Sequence, residues 1–166
     1  MSLFKAVLST YEHEYQNTLK VLRAIPEDKI NFTPHEKMRP AGRLAWHIVR
    51  IEDMFGRGAL SDKIIVGGGA PVNPPATIAA IIEIYEKQHP EIVAAWKAFD
   101  ESRWMEKIPF LKPSGETWME MSRIAYLQSA LMSHTIHHRG QLTVLLRLMG
   151  AKVPGVYGPS ADEVVG

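Results

Sequence analysis

His134 and His138 stand four residues apart in SHTIHHRGQLTVLLRLMG, and His47 stands far upstream in LAWHIVRIEDMF. Two imidazoles at i and i+4 of a helix project from one face and can chelate a single ion. A third imidazole from a facing helix completes a three-point site. Neutral imidazole suits zinc, nickel, iron or copper. Three protein ligands leave coordination positions open for water or substrate, as catalytic sites require. The chain has no cysteine, which excludes disulfides, a cysteine nucleophile and thiolate ligands. Thiol chemistry here would need the thiol to arrive on a substrate or cosubstrate.

Helical-wheel geometry chooses among the seven histidines. With His134 at zero and about 100° per residue, the apolar residues of its helix fall between about +20° and +80°. His138 lies inside that arc at about +40°, whereas His137 lies outside it at about −60°. His137 therefore reads as a residue that stabilises the fold or lines an interface. His47 sits on the apolar stripe of its own helix, between Leu44 and Ile51. His89 also falls on a buried face, next to Pro90, and reads as a fourth ligand, a substrate contact or a core histidine. His13 is opposite an apolar stripe and His35 is in a loop. Any one buried histidine taken alone is more often a hydrogen-bonded core residue than a ligand. The helical pair and the third ring from another helix together favour metal.

Gln141, at about −20° and three residues after His138, is placed either to orient a bound ligand or water or to bond a neighbouring helix. No general base stands out. Glu12, Glu14 and Glu52 lie on nearby helices without pointing clearly inward. The GGGA run lacks the Lys-Ser/Thr that would make it a phosphate loop and reads as a flexible connection.

Four helical stretches must position these groups. The first spans 2–24, with Phe4, Leu8, Tyr11, Tyr15, Leu19 and Leu22 on one stripe. A proline-bearing loop, 25–40, leads to a second helix from about Pro40 or Ala41 to Leu60, striped by Leu44, His47, Ile48, Ile51, Met54 and Phe55. Thr77 is a plausible N-cap for a third helix reaching about Asp100. Its inner side carries Ile78, Ile81, Ile82, Tyr85, Ile92, Trp96 and Phe99, and Pro90 should kink or interrupt it. IPFLKPSGET reads as a turn region, followed by the longest helix, 116–149, with Gly150 as its stop. Ile124, Leu127, Leu131, Leu142, Leu145 and Met149 face inward there. No strand-like alternation of convincing length is apparent. The expectation is one all-α domain over residues 1–166, a four-helix bundle with the site projecting into its core.

Composition narrows the function. Apolar residues are 46% and charged residues 22%, with 19 basic against 18 acidic side chains and a formal charge of +1. No basic stripe interleaved with aromatics suggests nucleic acid, and no apolar run suits a membrane span. The N-terminus turns polar too early for a secretory signal, so the expected compartment is the cytoplasm.

LAWHIVRIEDMF around His47, SHTIHHRGQLTVLLRLMG around His134 and His138, and VPGVYG near the end together resemble the DinB superfamily. That group includes YfiT-like metal-dependent hydrolases and bacterial thiol-dependent transferases. The resemblance implies an up-down-down-up four-helix bundle, often dimeric, holding nickel or zinc on His47, His134 and His138. It leaves the reaction open between hydrolysis and transfer to a low-molecular-weight thiol. A non-catalytic, stress-related dimer with a structural metal or none is the reading from a different class, and a fourth protein ligand, first of all His89, would favour it.

Overall fold

The computed structural model describes residues 2–67 and 72–163. Most of the GGGA run, and the end of the tail, lie outside those residues. The first three helices follow the apolar stripes: α1 (Leu3–Arg23), α2 (Ala41–Gly58) and α3 (Ile78–Ala98). The Ser2 hydroxyl accepts from the Lys5 backbone N–H, and Thr77 accepts from Ala80 N–H in the same way, as expected of N-caps. The Glu27 carboxylate, arriving from the α1–α2 connection, accepts from Ile78 N–H at 2.8 Å and Ala79 N–H at 3.3 Å. It places negative charge at the positive end of α3. Pro90 does not interrupt α3. Its ring is exposed, so water can reach the carbonyl one turn earlier that lost its donor.

The last helix, α4, departs from expectation. It begins at Arg123 rather than near residue 116, and spans 123–148 in three parts. An α-helical turn (Arg123–Tyr126) is followed by π-helix (Leu127–Ser133) and then α-helix (His134–Leu148). Gly150, at φ +77°, closes it as expected. The residues before α4 form a small sheet instead of a turn and a helix start. β1 (Ile64–Ile65) pairs parallel with β2 (Lys107–Leu111), which pairs antiparallel with β3 (Thr117–Ser122). In β2, Ile108 and Phe110 are buried while their neighbours are not, a period of two too short to stand out. The Met and Glu residues of β3 favour helix locally, but pairing with β2 overrides that preference. Gly115, at φ +86°, supplies the left-handed turn residue between them.

α1 and α2 each pack on both α3 and α4. They therefore face each other diagonally across a four-helix bundle, and the residue 24–40 connection crosses its end. One apolar cluster joins Phe4, Tyr11, Ile92, Trp96 and Trp104 to Ile124, Leu127 and Leu131 of early α4. A second joins Leu19, Leu22, Ile48, Ile81 and Tyr85 to Leu142, Leu145 and Leu146 of late α4. α2 and α3 pack closely at Gly56, whose carbonyl accepts from the Trp96 indole N–H at 2.7 Å. A Cβ there would lie 2.9 Å from Ile92 Cγ2. Gly56→Ala should destabilise the fold by about 1–3 kcal/mol through overpacking, although alanine is the better helix former. Urea unfolding would measure it, and an unchanged midpoint would refute so close an approach.

Candidate metal centre

α2 carries His47 between the buried Leu44 and Ile48, so the apolar face that docks α2 also turns this imidazole toward α4. On α4 the π-helical turn ends at His134, and the regular helix that follows holds His134 and His138 on one face. A π turn takes up one extra residue and re-aims what comes after it, and such turns concentrate at functional sites. The ring centroids of His47 and His138 are 4.6 Å apart, those of His134 and His138 4.7 Å, and those of His47 and His134 5.5 Å. One nitrogen from each ring falls within 4.8 Å of the others. Ligands each about 2.1 Å from one tetrahedral ion are roughly 3.4 Å apart, so small side-chain rotations close the set.

The electrostatics suit a cation acceptor. Burial, with the positive Arg39 and the two other imidazoles, lowers the His47 pKa to about 4. Burial and neighbouring histidines lower that of His134, and burial likewise lowers that of His138. All three rings are therefore neutral near pH 7, with nitrogen lone pairs available. His138 Nδ1 is 2.7 Å from Gln141 Oε1. As the acceptor, that amide oxygen holds the proton on Nδ1 and leaves Nε2 for a metal. Gln141 thus orients a candidate ligand rather than bonding another helix. His137 and His13 are exposed.

His89 is not part of this group. It is buried, with Nδ1 2.8 Å from Glu52 Oε1 and Nε2 3.0 Å from Glu12 Oε2, and its ring stacks on Tyr15. Both nitrogens are taken, so the fourth-ligand reading fails and the core-histidine reading holds. Glu52 also accepts from the Tyr11 hydroxyl at 2.5 Å and from Gln88 Nε2 at 2.8 Å. It is fully buried, contrary to the expectation that it does not point inward. Its place four residues after Ile48 signalled this. Glu14 is buried as well, against Arg139 at 2.5 Å. Of the three carboxylates, Glu12 alone is half-exposed.

Burial works against a charged His89, but the hydrogen bonds and charges of Glu52 and Glu12 prevail and raise its pKa. A raised folded-state pKa contributes stability that is complete below the unfolded value of about 6.5. That contribution is lost as pH rises through the folded value. The stability difference between wild type and His89→Gln should therefore shrink from pH 6 to pH 9. Urea unfolding across that range measures it, and a constant difference would exclude a charged His89. Because both proteins keep the histidine triad, its opposite titration largely cancels.

A model of the DinB family matches residues 1–164. The chain belongs to the DinB family. The uncharacterized protein YrdA of Bacillus subtilis (strain 168) is 28% identical over 160 residues, 94% of this chain and 89% of YrdA. A DinB-like protein from Bacillus cereus ATCC 10987 superposes with a TM-score of 0.74 at 25% identity, over 92% of this chain and 97% of that one. YfiT from Bacillus subtilis, described as a probable metal-dependent hydrolase with an unusual four-helix bundle topology, superposes with a TM-score of 0.64. At 12% identity over 92% of this DinB chain and 91% of YfiT, that likeness is one of fold.

Proposed function

We propose that this DinB protein is a divalent-metal-dependent enzyme acting on a small molecule, either as a hydrolase or as a transferase using a low-molecular-weight thiol. The observation that carries the reading is the meeting of His47, His134 and His138 with no fourth histidine or carboxylate in the group among the described residues. An all-imidazole, uncharged donor set suits nickel or zinc. Held there, such an ion supplies Lewis acidity that lowers the pKa of a water or thiol beside it. Gln141 fixes the His138 ring. Arg39, whose charge acts on all three imidazoles, favours an anionic substrate group or a thiolate at the same place. The description of YfiT supports the hydrolytic arm. The lack of cysteine means that the transfer arm takes its thiol from a cosubstrate.

No described helix is long and apolar enough to cross a membrane, in keeping with a cytoplasmic enzyme. The exposed Val144 and Leu148 of α4 offer a second copy an apolar strip, in keeping with a homodimer. The test is turnover by protein purified without a His-tag and loaded with one equivalent of zinc or nickel. One assay supplies p-nitrophenyl esters, the other a small thiol with an aryl halide electrophile. Saturable turnover that His134→Ala abolishes is expected in one of them. Rates equal to those of His134→Ala in both would overturn the enzymatic reading.

A further inference from the structure

A mostly apolar cleft of about 580 Å³ has in its lining Phe55, whose ring neighbours His134, but none of the three histidines themselves. Phe55 of α2, Ile64 and Ile65 of β1, Trp118 of β3, and Tyr126 and Ala130 of α4 line it. Its volume falls within the roughly 300–1,000 Å³ of small-molecule sites. Phe55 joins the two places, since its ring centroid is 5.8 Å from that of His134 and 5.7 Å from that of Tyr126. Ala130 lies one helical turn before His134, within the π-helical segment.

Two features of the lining stand open to solvent. Trp118 is 60% exposed and Ile65 55% exposed, although both border a concave apolar surface. Single exposed apolar residues are ordinary, but a concave cluster of them marks a binding surface. Lys63 stands on the lining as well. The neighbouring Asp62 is engaged by Arg103 and Arg123, and Lys63 has no carboxylate partner among the described residues. Buried Arg123 also donates to the carbonyls of Ala59 and Ser61 at 2.8 and 2.6 Å, which anchors the chain just ahead of Lys63 and β1.

We propose that this cleft seats the substrate, and that the substrate is an aromatic anion whose flat apolar part lies among Phe55, Trp118 and Tyr126 while Lys63 pairs with its charge. The three aromatic walls favour a planar group through offset or edge contacts. The lysine selects an acidic substituent over a neutral one. The function assigned to the cleft rests on the metal-dependent reading, but occupancy of the cleft does not require the metal.

Two fluorescent probes test it on the metal-free full chain: neutral N-phenyl-1-naphthylamine and 1-anilinonaphthalene-8-sulfonate, the same skeleton with an anionic group. Both are expected to bind saturably, the sulfonate more tightly. Trp118→Ala should weaken both about tenfold through loss of one aromatic wall, and Ile65→Gln should weaken both to a lesser degree. Lys63→Gln should erase the preference for the sulfonate and leave the neutral probe unaffected. Near-UV circular dichroism of each variant confirms native packing. Absent saturable binding, or affinities indifferent to both Trp118→Ala and Ile65→Gln, would overturn the proposal. So would a Trp118→Ala protein that loses a dimer in sedimentation while keeping its probe affinity, because the face would then join two copies. Failure of the metal reading shows separately, as protein that takes up neither zinc nor nickel.

Discussion

His138→Ala is expected to fold and yet bind zinc or nickel at least about 100-fold more weakly than the unaltered chain. Four-ligand protein sites hold zinc with about 10–16 kcal/mol, so one imidazole accounts for roughly 3 kcal/mol, or about two decades of affinity. The substitution removes a ring at the edge of the core, and no charge is stranded by its loss. Gln141→Ala should cost about tenfold, because it removes only the acceptor that fixes the Nδ1 tautomer. His137→Ala, one residue away but outside the triad, should leave affinity unchanged, and so should His89→Gln. Isothermal titration on protein stripped of metal and free of a His-tag measures all four. A His138→Ala protein of undiminished affinity would remove this residue from the ligand set. A loss in His89→Gln as large as that in His138→Ala would restore the fourth-ligand reading.

The convergence of His47, His134 and His138 was legible because both helices that carry them are regular there. His134 and His138 share the segment His134–Leu148, which begins where the π turn ends, so the wheel drawn through them is valid. His47 lies inside α2, where apolar periodicity is equally regular. The start of α4 was not legible. β3 carries helix-favouring Met and Glu residues and is little buried, and its pairing with β2 holds it extended. The π turn likewise leaves no mark on hydrophobic periodicity, since Leu127 and Leu131 are buried on either register. Glu52 shows a different limit. Its position four residues after Ile48 placed it on the inner face, but a carboxylate in an apolar arc makes sense only with its partners. Tyr11 and Gln88, which bond it, lie 41 and 36 residues away.

Arg139→Met is expected to destabilise the metal-free protein by about 3–5 kcal/mol, the usual cost of removing one partner from a buried ion pair. Arg139 is 2% exposed, and its guanidinium bonds the Glu14 carboxylate at 2.5 Å, the Glu14 carbonyl at 3.0 Å and Thr18 Oγ1 at 3.1 Å. The Tyr157 hydroxyl also bonds the guanidinium, and lies 2.8 Å from the same Glu14 carboxylate. Arg139 thus ties α4 to α1 and anchors the irregular tail, which gives HRGQ and VPGVYG a shared structural reason. At this chain length the loss corresponds to roughly 6–20 °C in Tm. Glu14→Leu should be similarly damaging, since it strands the cation instead. The pair Glu14→Leu/Arg139→Met should cost much less than the sum, because no uncompensated charge is left in the core. Tyr157→Phe should cost about 1 kcal/mol, the value of a hydrogen bond to a charged pair at a half-open site. Chemical unfolding followed by circular dichroism reads each value. Additive losses in the double variant would show that Glu14 and Arg139 stabilise the bundle independently, and a loss below about 1 kcal/mol for Arg139→Met would deny the pair a structural role.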